Sequence, residues 1–73
     1  MVITIQNTEK VVTLDGVPAR IWEGTTDSGI EVICFITRVL VPENDRQDEF
    51  LRELQQCEKP SIAAEAISLH LIL

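Results

Sequence analysis

IEVICFITRVLV, residues 30–41, is the stretch that decides the fold of this 73-residue chain. It is rich in β-branched and aromatic residues, which favour an extended strand. Its apolar residues do not alternate with polar ones, so such a strand has two apolar faces. Cys34 and Ile36 lie on one face, and Ile33 and Phe35 lie on the other. Both faces need cover, and a chain of this length has little other structure to provide it.

The composition is that of a folded globular protein, with 45% hydrophobic and 25% charged residues. The length predicts a single small domain over residues 1–73. The N-terminal residues lack the basic start and long apolar run of a signal peptide, and no apolar run is long enough to cross a bilayer. The sequence therefore predicts a cytoplasmic protein without a membrane partner.

The formal net charge of −6 argues against direct binding to nucleic acid, because a basic patch supplies most of that affinity. The simplest role of the negative charge is solubility. The alternative is an acidic surface that takes the place of phosphates on a protein that handles nucleic acid.

Turn residues divide the first part of the chain into short strands. Asp15-Gly16 is a strong hairpin signal between two apolar runs, and the residues at 7–9 predict an earlier turn. The resulting strands cover residues 2–6, 10–14 and 17–24.

A three-residue hairpin loop at 27–29, with glycine at its last position, fixes the register of the strand that follows. Trp22 then opposes Cys34, and Ile21 opposes Phe35. Cross-strand pairs of this kind stabilise a sheet by up to about 1 kcal/mol each.

One amphipathic helix is predicted at about residues 45–58. Pro42 ends the preceding strand, Asn44 or Asp45 can cap the helix, and acidic residues occupy its first turn. Its apolar residues follow helical spacing: Phe50, Leu51, Leu54 and Cys57. The alternating residues 67–73 predict a last strand.

These elements predict an α+β fold: a small, mostly antiparallel sheet of four to five strands with the helix packed on one face. The second face is left for a curled sheet edge, a second copy of the chain or a different protein. We expect the face of Cys34, with Val32 and Ile36, to meet the helix residues Leu51 and Leu54. We expect the face of Phe35, with Ile21 and Ile33, to meet the partner.

No catalytic or metal-binding constellation is visible. The sequence has no phosphate-binding glycine loop, and no serine or cysteine lies in a nucleophile motif. His70 is the single histidine, which leaves too few ligands for a zinc site. Cys34 and Cys57 are expected to be free thiols. We therefore predict a non-enzyme without cofactor or metal.

A short, acidic, strand-rich chain without catalytic groups resembles the small inhibitor proteins of phages and mobile elements, such as anti-CRISPR and anti-restriction proteins. The resemblance implies a non-catalytic protein-interaction module with a protein partner. The alternatives are a homodimeric structural or regulatory domain, and a small-ligand binder that uses Trp22 and Phe35. The candidate partner-binding residues are Trp22, Ile33, Phe35, Asp45, Asp48, Glu49 and Glu53.

Overall fold

A computed structural model describes residues 1–72 of the chain. Its four strands form one mixed sheet in the order β3-β2-β1-β4, antiparallel except where β4 runs parallel to β1. The fold is α+β, as predicted. The elements are β1 (Ile3–Leu14), β2 (Val17–Thr26), β3 (Glu31–Ile36), a 3₁₀ helix (Asn44–Arg46), α1 (Gln47–Leu54), α2 (Ile62–Glu65) and β4 (His70–Leu71).

The first strand is continuous, whereas the sequence predicted two strands and a turn at 7–9. A β-bulge interrupts its pairing with β2 between Asn7 and Val11. The Thr8 hydroxyl, which is buried, donates to the carbonyl oxygen of Ile21 at 2.8 Å. This side-chain hydrogen bond satisfies a carbonyl that faces the bulge, so the strand bends without leaving that group unpaired.

Two tight turns connect the first three strands. Asp15 and Gly16 both have positive φ, 50° and 83°, as the predicted hairpin requires. At the second turn, the Thr26 amide donates to the Ile30 carbonyl at 2.9 Å, and Gly29 has a φ of 90°. These two turns set the whole antiparallel meander.

The predicted register between β2 and β3 is confirmed. Trp22 opposes Cys34, and Ile21 opposes Phe35. The ladder ends at the pair Arg20–Ile36, so β3 is shorter than the predicted strand over residues 30–41. Pro18 would be the next hydrogen-bonding position of β2 toward β3. Because proline has no amide hydrogen, the ladder stops there.

The core is small and lies on one face of the sheet. Among residues 1–72, four hydrophobic residues are fully buried: Val12, Ala19, Ile21 and Ala64. Partly buried side chains pack against them: Leu14, Ile33, Phe35, Ile67 and Leu71. The face of Ile21 and Phe35, which we expected to meet a partner, is therefore covered by the chain's own C-terminal segment, residues 61–71.

Several hydrogen bonds attach that segment to the sheet. The Glu23 carboxylate accepts from both the amide and the hydroxyl of Ser61, and the same hydroxyl caps α2 at Ala64. Farther along, the amide of Thr13 donates to the Leu69 carbonyl at 2.7 Å. Of the strand predicted at 67–73, only His70–Leu71 is extended in the sheet, and Leu73 lies outside the described residues.

Helix α1 is shorter than the predicted helix at about 45–58 and contributes no buried residue. It lies on the Trp22 side of the sheet, where the buried Asn7 side chain donates to the Leu54 carbonyl at 2.7 Å. It borders an open groove on this face. In residues 1–72, no helix combines the length and apolar character that a membrane span requires.

Candidate interaction surface

The outer edge of β3 is the first part of this surface. The strand lies at the end of the sheet, and no described strand pairs with its outer side. The Thr26–Ile30 hydrogen bond sets the alternation of backbone groups, so the even-numbered residues of β3 point their amides and carbonyls toward β2. The backbone groups of Glu31, Ile33 and Phe35 therefore point outward.

The side chains of this edge are apolar. Glu31 carries the one charge in the sequence EVICFI, and residues 32–36 are all half-buried. Natural proteins usually protect an edge strand with lysine, proline, a bulge or a covering element. Within β3 none of the first three is present, so the edge has the properties of a template for another strand.

An open groove of about 320 Å³ lies on the Trp22 face of the sheet and reaches β3 at its last residue, Ile36. Its floor is the sheet, one wall is α1, and the other is the chain that follows β3. The lining residues are Val11, Pro18, Arg20, Trp22, Ile36, Thr37, Arg38, Val39, Phe50, Leu51 and Leu54.

Several apolar side chains of the groove are exposed to solvent. The exposed fraction is 56% for Leu51, 51% for Val39 and 46% for Val11. Exposed apolar residues are ordinary when scattered, but a contiguous group on a concave surface is typical of a binding site. Arg20 adds a guanidinium that donates to the Thr8 carbonyl at 2.8 Å, so it is fixed at the groove floor.

The acidic residues of the predicted site lie on and beside α1. Asp45 and Asp48 are exposed, and neither takes part in an ion pair among residues 1–72. Arg46 differs, because its guanidinium lies 2.9 Å from the Glu49 carboxylate and 3.7 Å from that of Glu43. The hydrogen bond to Glu49 is the main reason that the pKa of Arg46 is raised. The Glu49 carboxylate thus has a cationic partner, unlike those of Asp45 and Asp48 in residues 1–72.

The candidate residues divide into separate surfaces. Trp22 lines the groove, whereas Ile33 and Phe35 pack against the core on the opposite face. Trp22 and Phe35 therefore lie on opposite faces of the sheet and do not line a common pocket. The acidic side chains Asp45, Asp48, Glu49 and Glu53 form a third group around α1.

Sequence reasoning missed Arg20 and the residues after β3, such as Arg38 and Val39, as parts of this surface. The signal available was Pro18, whose missing amide ends the ladder. Residues 37–41 are then free to leave the sheet and to form a groove wall. We expected the helix on the face of Cys34, which is also the face of Trp22, although no local feature of the sequence fixes that choice.

The described residues offer no metal centre, since no three His, Cys, Asp or Glu side chains among them are grouped to hold an ion. His70 is exposed, and its amide donates to the Ser68 hydroxyl at 3.4 Å. Cys34 and Cys57 are free thiols, each half-buried. Comparison with protein-family models, curated proteins and solved structures found no match to this chain.

Proposed function

We propose that this protein is a non-catalytic protein-interaction module that binds its partner along the β3 edge and the adjoining groove. The observation that carries the proposal is the unpaired edge of β3, whose outward backbone groups lie beside five consecutive half-buried apolar residues at 32–36. In the addition of a strand to a sheet edge, main-chain hydrogen bonds supply affinity and neighbouring pockets supply specificity. The β3 edge supplies the first of these elements and the Trp22 groove supplies the second.

The proposal is tested by blocking the edge without changing any side chain. Two synthetic peptides joined at Cys57 give the full chain with an N-methyl group on the Phe35 amide, which removes one outward donor. N-methylation of Cys34 is the matched control, since that amide points toward β2. Quantitative mass spectrometry then compares the proteins captured from a lysate of the source organism by the natural chain and the Phe35 derivative.

The expected result is that the specifically captured protein is lost with the N-methyl-Phe35 chain, although circular dichroism shows that this chain is folded. N-methylation at Cys34 is expected to destabilise the fold itself, because it removes a hydrogen bond within the sheet. Capture that is unchanged with the folded Phe35 derivative would overturn the proposal that the edge is the binding surface.

A narrower form of the proposal concerns a further partner of the acidic residues around α1, which form a surface separate from the β3 edge. Asp45, Asp48 and Glu53 are exposed on one short segment, and the chain has a net charge of −6. These charges favour a basic partner, such as the nucleic-acid channel of a larger complex, as in the phage inhibitors that the sequence resembles. Charge complementarity of this kind accelerates association.

The narrower form is tested by reversing Asp45, Asp48, Glu49 and Glu53 to lysine. The fold should change little, because exposed charges contribute little to stability. Binding to the captured partner should weaken strongly at low salt. The control reverses Glu9, Asp27 and Glu65, exposed acids that lie outside both α1 and β3. Partner binding that survives the four reversals would contradict an acidic contact through α1.

A further inference from the structure

We infer that the occupant of the β3 edge is a second copy of this chain, paired antiparallel through β3 so that Cys34 lies opposite Cys34 on the two-fold axis. This inference rests on the proposed function, because it names the partner of the same edge. The result would be one continuous eight-stranded sheet made from two four-stranded sheets.

Symmetry restricts the register of such a pair. A two-fold axis that relates two antiparallel strands of one sheet is perpendicular to the sheet, so each residue opposes one on the same face. The outward backbone groups belong to Glu31, Ile33 and Phe35. These groups can pair when Ile33 of each copy opposes Phe35 of the other, which places Cys34 on the axis.

The neighbouring symmetric registers fit less well. A register centred on Ile33 would place the Glu31 carboxylate opposite Phe35, against apolar neighbours. A register centred on Phe35 would extend pairing beyond Ile36, where the strand ends. In the register centred on Cys34, Val32 opposes Ile36, so the central pairs are all uncharged.

The charges that flank the edge also suit an antiparallel copy. Glu31 begins the strand, and Arg38 lies two residues beyond its end, in the groove wall. Antiparallel pairing brings the acidic end of each copy toward the basic end of the other, whereas parallel pairing would bring like charges together. Such complementarity fixes orientation more than it adds affinity.

The axis position of Cys34 provides a direct readout. Its backbone groups point toward β2, so the two cysteines form a non-hydrogen-bonded pair with a Cα–Cα distance of about 4.5 Å. That distance lies within the range that a disulfide spans. In the presence of oxidised glutathione, the two Cys34 thiols lose two protons and two electrons and form one S–S bond. The glutathione disulfide is reduced to two glutathione thiols.

The experiment uses the full chain with Cys57→Ser, which leaves Cys34 as its one cysteine. Light scattering of the reduced protein should show a mass that rises from one chain to two as concentration increases. Oxidised glutathione should then give a Cys34–Cys34 dimer, detected by intact mass. The register control is Ile36→Cys with Cys34→Ser and Cys57→Ser. In that control the two new thiols lie far from each other on either side of the axis, so the cross-link should be lost.

A protein that stays one chain in mass at every concentration, and does not cross-link through Cys34, overturns the inference. So does a control that cross-links at position 36 as readily as at position 34, because it indicates a different register or random collision. The proposed function is overturned by a different result. In that result, N-methylation of Phe35 changes neither the molar mass of the protein in solution nor its capture of any other protein. If the protein is monomeric and N-methylation of Phe35 abolishes its capture of another protein, the proposed function holds. Only the identity of the partner as a second copy is then overturned.

Discussion

The ammonium group of Lys10 lies 2.6 Å from the carbonyl oxygen of Ile67, a residue 57 positions later in the chain. The same ammonium donates to the Glu65 carbonyl at 2.7 Å. One side chain in the bulge region of β1 therefore holds the end of α2 against the sheet. This contact helps to place the C-terminal segment over the face of Ile21.

Replacement of Lys10 by methionine should lower the free energy of unfolding by about 1–2 kcal/mol, because hydrogen bonds to a charged group are worth more than neutral ones. The apolar part of the side chain is retained. Urea denaturation measures the loss, and Lys59→Met, an exposed lysine, is the control. Equal stability of the two variants would contradict a structural role for Lys10.

Gly24 should not tolerate alanine. A Cβ at this position would collide with the carbonyl oxygen of Thr4 and lie 2.8 Å from the Cα of Ile5, both backbone atoms of β1. The two strands would have to separate, so we expect a loss of at least about 1–3 kcal/mol. Thermal melts of Gly24→Ala and of its exposed neighbour Thr25→Ala check this. A normal melting temperature for the glycine variant would show that β1 and β2 are not in such close contact.

Ile21 and Trp22 are adjacent, but they should respond differently to truncation. Ile21 is 0% exposed, and Ile21→Ala should cost about 2–5 kcal/mol, enough to unfold much of a domain with so small a core. Trp22 lines the open groove, so Trp22→Ala should keep the fold and reduce binding at the groove. Circular dichroism and melting curves separate the two variants. The assignment of faces is wrong if Trp22→Ala unfolds the chain and Ile21→Ala does not.

Aspartate substitutions in β3 should reveal the two faces of the strand. Phe35→Asp places a charge against the core cluster and should unfold the chain, since an unpaired buried charge is very costly. Cys34→Asp lies on the groove face and should leave a folded protein. At the proposed dimer axis it sets two carboxylates against each other, so the folded protein should also be monomeric. Far-UV circular dichroism and molar mass test both variants, and two folded dimers would contradict both expectations.

Local chemistry predicted the first hairpins well. Asp15-Gly16 and the loop at 27–29 contain the residues that positive φ demands, and a two- or three-residue loop leaves the flanking strands little choice of register. The pairing of Trp22 with Cys34 therefore follows from the sequence of the two turns. The α+β class followed from the same patterns.

The bulge and the strand end were harder to predict. Asn7-Thr8-Glu9 has the composition of a turn, and its continuation as a strand depends on distant groups. The amide of Glu58 donates to the Asn7 carbonyl, and the Glu9 amide donates to the Glu58 carbonyl, both at 3.0 Å. No pattern within residues 7–9 encodes a partner from the other end of the chain.

The sequence by itself determined that the strand at β3 has two apolar faces, that its hairpin has one register, and that a helix follows it. These properties depend on backbone conformations and side-chain alternation within a few neighbouring residues. Only the tertiary structure decided that the C-terminal segment covers Phe35 and that α1 stands over Trp22. The hydrophobic effect is non-directional, so by hydrophobicity alone either segment could cover either face of β3. The choice is made by specific long-range hydrogen bonds, such as those of Lys10 and Glu23 on one face and Asn7 on the other.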